Sequence, residues 1–214
     1  MVAGTSYHKG LEVNYGQKIE SKKDLKESEV LDAVSTEFDS KIVEVEEPKK
    51  VKSSVKDETI SISKHYHETI AGTIQPKEVE KKIEVTFGNV DYNLIGYVDL
   101  ITDNGLVIEN KTTARTPSSI SVDHLIQGSI YAMSEGVNQV RYDYAVKLKT
   151  PKVVTLTEQI TEEQKAFTLT LLGEVDRAIQ NEVFYPNRSN FMCSRKGCGY
   201  YRECEKKYGG RVRD

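Results

Sequence analysis

The chain has 214 residues, a net charge of −3 and 37% hydrophobic residues. That is enough for one domain with a real core, and too balanced in charge for the whole sequence to mark a nucleic-acid binder. No apolar run reaches the length of a membrane span and no signal peptide precedes the first structured residues, so a cytoplasmic protein with no membrane partner is expected.

Residues 1 to 40 read as helical. Gly4-Thr5-Ser6 precedes a helix carrying His8, Leu11 and Tyr15, and a second pattern runs from Leu25 to Phe38 through Val30, Leu31 and Val34. From Lys41 to Lys64 charges of both signs crowd together, with Glu44-Val45-Glu46-Glu47 running into Pro48-Lys49-Lys50. This segment (41–64) reads as a charged insertion, an exposed helix or a mobile stretch, and is assigned no chemistry. His65 and His67, with no acid or cysteine pattern beside them, read as surface residues. Glu78 to Phe87 reads as a strand, and Tyr92 to Ile101 as the next.

That second strand enters the most informative stretch, Gly96 to Thr113. Val98, Leu100 and Val107 are strand residues, and Asp103-Asn104-Gly105 between the runs is a hairpin signal. Glu109 and Lys111 stand two apart and share a face. A two-residue Asn104-Gly105 loop sets Asp99 opposite Asn110, on the wrong face. A three-residue Asp103-Asn104-Gly105 loop, closed by Gly105 with positive φ, sets Asp99 opposite Glu109 and is preferred because glycine stands third. Two carboxylates and an ammonium then share one patch, with hard oxygen ligands suited to Mg²⁺ or Mn²⁺. Taken alone, the same residues also fit an ordinary solvated hairpin in which Lys111 pairs with Glu109.

After a polar loop, Arg115 to Ser119, the stretch Ser121 to Glu135 reads as a helix with His124, Gln127 and Tyr131 on one face. Gln139 to Lys147 and Lys152 to Leu156 follow as strands. Thr161 then caps a helix, with Gln164 closing a capping box, that continues through Phe167, Leu171, Val175 and Ile179. A strand pair, a helix and further strands imply an α/β fold, a mixed central sheet flanked by helices.

The chain ends in a tail, Asn187 to Asp214, with Cys193-x₄-Cys198-x₅-Cys204, which holds all three cysteines. Thiolates this close suit a soft or borderline metal or a cluster rather than a secreted disulfide framework. Tyr185 to Asp214 carries eight Lys or Arg against three acids, a local basic patch able to hold a phosphate backbone, with Tyr200, Tyr201 and Tyr208 available for stacking.

Asp99 followed after a turn by Glu109-Asn110-Lys111 resembles the core motif of the PD-(D/E)XK nuclease superfamily, and GYVDLI…LVIENKTT resembles its RecB-like exonuclease branch. GTSYHKGLE resembles the segment that opens the RecB-like fold with a metal-facing histidine, and DHLIQGSIYA its Gln-x-x-x-Tyr helix. Glu80 resembles an acid often found on an earlier strand, and is ranked below the main site. The resemblance implies a restriction-endonuclease-like core over residues 1–184, with the basic cysteine tail, 185–214, packed on it. It implies a Mg²⁺- or Mn²⁺-dependent DNA exonuclease. His8, Asp99, Glu109 and the backbone carbonyl of Asn110 are its metal ligands, Lys111 steers the attacking water, and Gln127 and Tyr131 position the strand. The expected substrate is DNA, single-stranded or with free ends, and the expected protein partners are a helicase, a recombinase or a single-strand-binding protein.

The three C-terminal cysteines resemble the iron-sulfur type of that branch, which includes AddB nuclease domains and CRISPR-associated exonucleases. There a fourth cysteine upstream of the histidine completes a [4Fe-4S] cluster. This sequence has no other cysteine, so the cluster is completed by a residue absent from the chain, or is incomplete, or the site is different; zinc held by Cys193, Cys198, Cys204 and one other ligand is the competing reading. A catalytically inactive DNA-binding subunit of a recombination complex is the alternative function, and an unrelated zinc-binding interaction protein a third.

Overall fold

A computed structural model describes residues 2–43, 49–88, 90–188, 190, 192–209 and 212. The Glu44-to-Pro48 part of the charged segment, and Arg211, Arg213 and Asp214 of the basic tail, lie outside the described residues. The chain divides into two units, residues 1–170 and 171–214.

Three helices open the first unit: α1 (Val2–Ser21), α2 (Glu27–Ile42) and α3 (Lys49–Thr69). Tyr7, Leu11, Tyr15 and Lys18 are buried on α1 at three- and four-residue spacing, the stripe by which a helix meets a core. Gly4-Thr5-Ser6 does not precede this helix but lies in its first turns, where the Ser6 hydroxyl donates back to the Val2 carbonyl (2.9 Å) instead of capping. Lys18, almost fully buried, donates to both Asp24 oxygens (2.9 Å each) and to the Ala71 carbonyl (2.8 Å), tying α1 to the segments after α1 and α3.

Helix α3 changes the reading of the charged segment. Its first turns are solvent-facing, but Thr59, Ile62, Ser63 and Tyr66 are buried. Two of these four are hydroxyl residues whose side chains donate to carbonyls one turn back, Thr59 to Val55 (2.7 Å) and Ser63 to Thr59 (2.8 Å). From Lys49 onward the segment is therefore a helix whose second half is core. His67, read as a surface residue, is only partly exposed, and its Nδ1 is buried.

The sheet contains β1 (Pro76–Val85), β2 (Leu94–Thr102), β3 (Val107–Thr113), β4 (Gln139–Val146) and β5 (Lys152–Gln159), in that spatial order. Neighbours run antiparallel except β3 and β4, which are parallel and joined across one face by α4 (Val122–Glu135). This is the mixed α/β sheet expected. Strand β1 starts two residues earlier than its sequence pattern because Pro76, on an edge strand, needs no N–H for a ladder.

Alternation along the strands divides the core. Leu100, Ile108 and Ala145 pack with Tyr7, Leu11, Tyr66 and Ile62, under α1 and α3. Ile101, Val107, Val140, Tyr142 and Tyr144 pack with Tyr131 and Ala132 of α4. Ser121 caps α4 through the His124 N–H (3.4 Å), as its sequence position suggests. The expected Thr161–Gln164 capping box opens α5 (Glu162–Gln180), with Thr161 N–H donating to Gln164 Oε1 (2.7 Å). In the second unit, α6 (Tyr201–Tyr208) is a helix the sequence reading did not anticipate.

Helix α4 rests on β4 at Gly128, where an added Cβ would lie 1.9 Å from the Tyr142 hydroxyl. That hydroxyl donates to the His124 carbonyl (2.8 Å), so it has no room to swing away. Gly128→Ala should therefore destabilise the protein by about 1–3 kcal/mol in urea unfolding. Adding Tyr142→Phe should recover part of that loss; an additive double mutant would show that the overlap is not the cause.

Candidate active site

The β2–β3 hairpin closes as the sequence requires. Gly105 has φ of 82°, its N–H donates to the Thr102 carbonyl (2.9 Å), and Thr102 N–H donates to the Leu106 carbonyl (3.0 Å), leaving Asp103-Asn104-Gly105 as a three-residue loop. The ladder pairs Ile101 with Val107 and Leu100 with Ile108, a register that sets Asp99 against Glu109. Beyond Leu100 the strands part, and the Asn110 N–H donates to Asp99 Oδ2 (2.7 Å) rather than to a ladder carbonyl.

Two other elements converge on Asp99. His8, in the second turn of α1, places Nδ1 3.3 Å from Asp99 Oδ1. From β1, Glu80 lies between the paired positions Val79–Leu100 and Lys81–Val98, with φ of 47°, a left-handed conformation costly for a residue with a side chain. Ligand atoms of His8, Glu80 and Asp99 all lie within 4.8 Å of one another, a group able to hold a metal ion. Glu80 is therefore a member of the site, although its sequence reading ranks it below the main residues. Its pKa is raised by burial and then by the Asp99 charge. Burial depresses the His8 pKa, but the hydrogen bond and charge of Asp99, with Glu109 and Glu80 behind it, outweigh that and leave it raised.

Glu109 is 3% exposed. Its Oε1 accepts from Lys111 Nζ and from Gln127 Nε2 (3.0 Å), while Oε2 is buried with no hydrogen-bond partner among the described residues. An orphaned carboxylate oxygen in the interior is expensive, and its natural complement is a cation. Burial, and then the Asp99 charge, push the Glu109 carboxyl up from 4.5 to about 7, against the pull of Lys111.

Gln127 and Tyr131, one turn apart on α4, brace this pair. Lys111 Nζ donates to Gln127 Oε1 (2.9 Å), and Gln127 Nε2 donates to Tyr131 Oη (2.8 Å) as well as to Glu109. Lysine only donates and a carboxylate only accepts, so the amide fits in one orientation. The Tyr131 hydroxyl passes its own hydrogen to the Tyr97 carbonyl (2.7 Å). These two side chains thus hold Glu109 and Lys111 in place, a role the sequence pattern did not disclose. His124, on the same helix, instead binds the Tyr144 hydroxyl through Nδ1 (2.8 Å) and packs against the Tyr142 ring.

The structure therefore brings together His8, Asp99, Glu109, Lys111, Gln127 and Tyr131, and adds Glu80. At Asn110 it is the amide N–H that is engaged, by Asp99. In the second unit Cys193, Cys198 and Cys204 are free, partly exposed, and line one cavity of about 500 Å³ with Tyr200 and Tyr208. Unlike His8, Glu80 and Asp99, they do not form a group with all ligand atoms within 4.8 Å.

A sequence model of the PD-(D/E)XK nuclease superfamily matches residues 1–205. A comparison with curated proteins found no match. Among solved structures, the protein SSO0001 is 18% identical over 83% of this chain and 75% of its own, with a TM-score of 0.41. A protein named "putative exonuclease" from Eubacterium rectale is 11% identical over 94% of this chain and 80% of its own, with a TM-score of 0.49.

The raised Glu109 pKa fixes a sign. The folded protein holds that proton more tightly than the unfolded chain, so the stability it contributes is complete below about pH 4.5 and lost as pH rises through about 7. Without divalent metal, Glu109→Gln should outlast the wild type near pH 8 by on the order of 2 kcal/mol, and the gap should close toward pH 4.5. Added Mn²⁺ should raise the wild-type melting temperature more than that of the variant. Parallel melting-temperature profiles for the two proteins would contradict this account.

Proposed function

The chain belongs to the PD-(D/E)XK nuclease superfamily, and on that premise we propose that it is a divalent-metal-dependent DNA exonuclease of the RecB-like branch. The observation that carries the reading is the meeting of Asp99 and Glu109 at the mouth of the hairpin, with Lys111 on the Glu109 face and His8 and Glu80 converging from neighbouring elements. The order His8, Asp99, Glu109-x-Lys111, Gln127-x-x-x-Tyr131 along the chain supports the branch.

His8, Glu80, Asp99 and Glu109, with the Asn110 carbonyl, would hold one or two Mg²⁺ or Mn²⁺ ions. The carboxylate and carbonyl oxygens suit these metals, and the unpartnered Glu109 oxygen fits such an occupant. When bound, such an ion lowers the pKa of water and neutralises charge on the phosphate. Lys111 places an ammonium beside Glu109, where it orients the attacking water and offsets charge that develops on the phosphoryl oxygens. Gln127 fixes that ammonium and the carboxylate relative to each other, and Tyr131 fixes Gln127. The partly exposed Gln127 meets the strand being cut, with the buried Tyr131 holding it in position.

The basic tail supplies phosphate contacts, and its three cysteines supply thiolates for a [4Fe-4S] cluster or zinc completed by a further ligand. Single strands or free ends are the expected substrates, within a recombination, repair or phage DNA-processing setting that includes a helicase, recombinase or single-strand-binding protein.

Asp99→Ala and Lys111→Ala should each lower Mg²⁺- or Mn²⁺-dependent degradation of end-labelled single-stranded DNA by about a hundredfold or more. Circular dichroism should show the fold retained. Wild-type rates in either variant would overturn the assignment. Labels at the 5′ and 3′ ends would show processive loss from one end if the enzyme is an exonuclease, and internal fragments if it is not.

A further inference from the structure

Beside the carboxylates lies a cavity of about 380 Å³, between α4 and the paired ends of β1 and β2. Its walls are aliphatic, chiefly Ile83, Ile126 and Ile130. Gly96 opens it: a Cβ there would stand 3.3 Å from Ile83 Cγ1 and 3.6 Å from Tyr131 Cε1, narrowing the space between strand and helix. Gln127 and Tyr131 form the wall shared with the catalytic centre. Because Gln127 touches Glu109 and Lys111 directly, the cavity is one side chain away from the groups that would act on phosphorus.

The charges decide what can enter. Among the described residues no lysine, arginine or histidine lines the cavity, and the one charged residue lining it is Asp123, exposed in the first turn of α4. A phosphate would meet a carboxylate and no counter-charge. A flat, largely apolar heterocycle with hydrogen-bond donors on its edge meets complementary surfaces everywhere, and the volume lies in the range of sites for small organic ligands.

We propose that this cavity is a nucleobase pocket, which receives the base next to the scissile phosphate while Lys111 and the carboxylates engage the phosphate itself. The proposal rests on the nuclease reading and deepens it. A base held in a Watson–Crick pair is walled in by its partner and stack, so the pocket admits only an unpaired nucleotide and sets a single-strand requirement at the cut. Asp123 can only accept hydrogen bonds when ionised, so it favours bases with an exocyclic amine, cytosine, adenine or guanine. Thymine flanks its single ring N–H with two carbonyls that the carboxylate repels.

The test compares single-stranded oligonucleotides that are identical except for one abasic nucleotide, digested with Mn²⁺ and read as a product ladder. Bis(p-nitrophenyl) phosphate serves as a diester without a base. The wild type should slow about five- to hundredfold at the bond whose base is missing, the value of one stacked base. Ile130→Phe, which fills the cavity, should slow on intact DNA, lose the difference between intact and abasic strands, and hydrolyse the base-free diester at the wild-type rate. Asp123→Asn should narrow the difference between cytosine and thymine at the same position. Equal wild-type rates on intact and abasic strands, with the base-free diester still hydrolysed, overturn the pocket alone. Failure to hydrolyse any diester overturns the nuclease reading and the pocket with it. The wild-type comparison needs no variant, so misfolding of Ile130→Phe does not blunt it.

Discussion

Asp99 and Glu109 face each other where the sheet and two layers of helix shield them from water, and their mutual repulsion is the constraint to which the surrounding side chains answer. Burying one ionised carboxylate is expensive, and a second beside it more so. The Asn110 amide and the His8 ring take up Asp99, and Lys111 and Gln127 take up one oxygen of Glu109. The other Glu109 oxygen is left over. A divalent cation bound there would find anionic oxygens already gathered, so little of its binding energy would go into collecting them.

The two faces of the sheet divide the labour. On the α1 side the buried Asp143 is fully engaged: it accepts from Arg141 Nε (2.8 Å) and Nη2 (2.9 Å), from Thr155 Oγ1 (2.7 Å) and from the Tyr66 hydroxyl (3.2 Å). Tyr7 stands edge-on to Tyr66 and to His8, with both ring centroids at 5.8 Å, so the histidine is seated on a rigid aromatic layer. On the α4 side the buried hydrogen bonds lead to Glu109 and stop at its first oxygen.

The parts that were legible in the sequence are those whose local chemistry has one solution. Asp-Asn-Gly with glycine third closes a three-residue loop, and that alone aligns Asp99 with Glu109. Gln127 and Tyr131 share a helix face by spacing. Glu80 was underrated because a glutamate on a strand ordinarily faces solvent, and nothing in the sequence announces a positive φ at that residue. The second half of α3 was hidden because Thr59 and Ser63 bury hydroxyls that return their hydrogen bonds to the helix, so no apolar stripe marks the core face. The Arg141–Asp143 pair drew no notice in the sequence, because the burial of Asp143 depends on Tyr66, distant in sequence, arriving from α3.

The single parallel pairing among the described strands has a consequence for how the protein comes to be. Strands β1, β2 and β3 are joined by short links and pair antiparallel, so Glu80, Asp99, Glu109 and Lys111 can meet through local encounters. Strand β4 reaches β3 only after α4 has crossed over the sheet, a longer closure and a slower one. The carboxylates are thus brought together by local pairings, and the helix that steadies them joins through the long-range one. On a nascent chain the same acids are a crowded, unbraced set, and the arrival of Gln127 converts it into an ordered one.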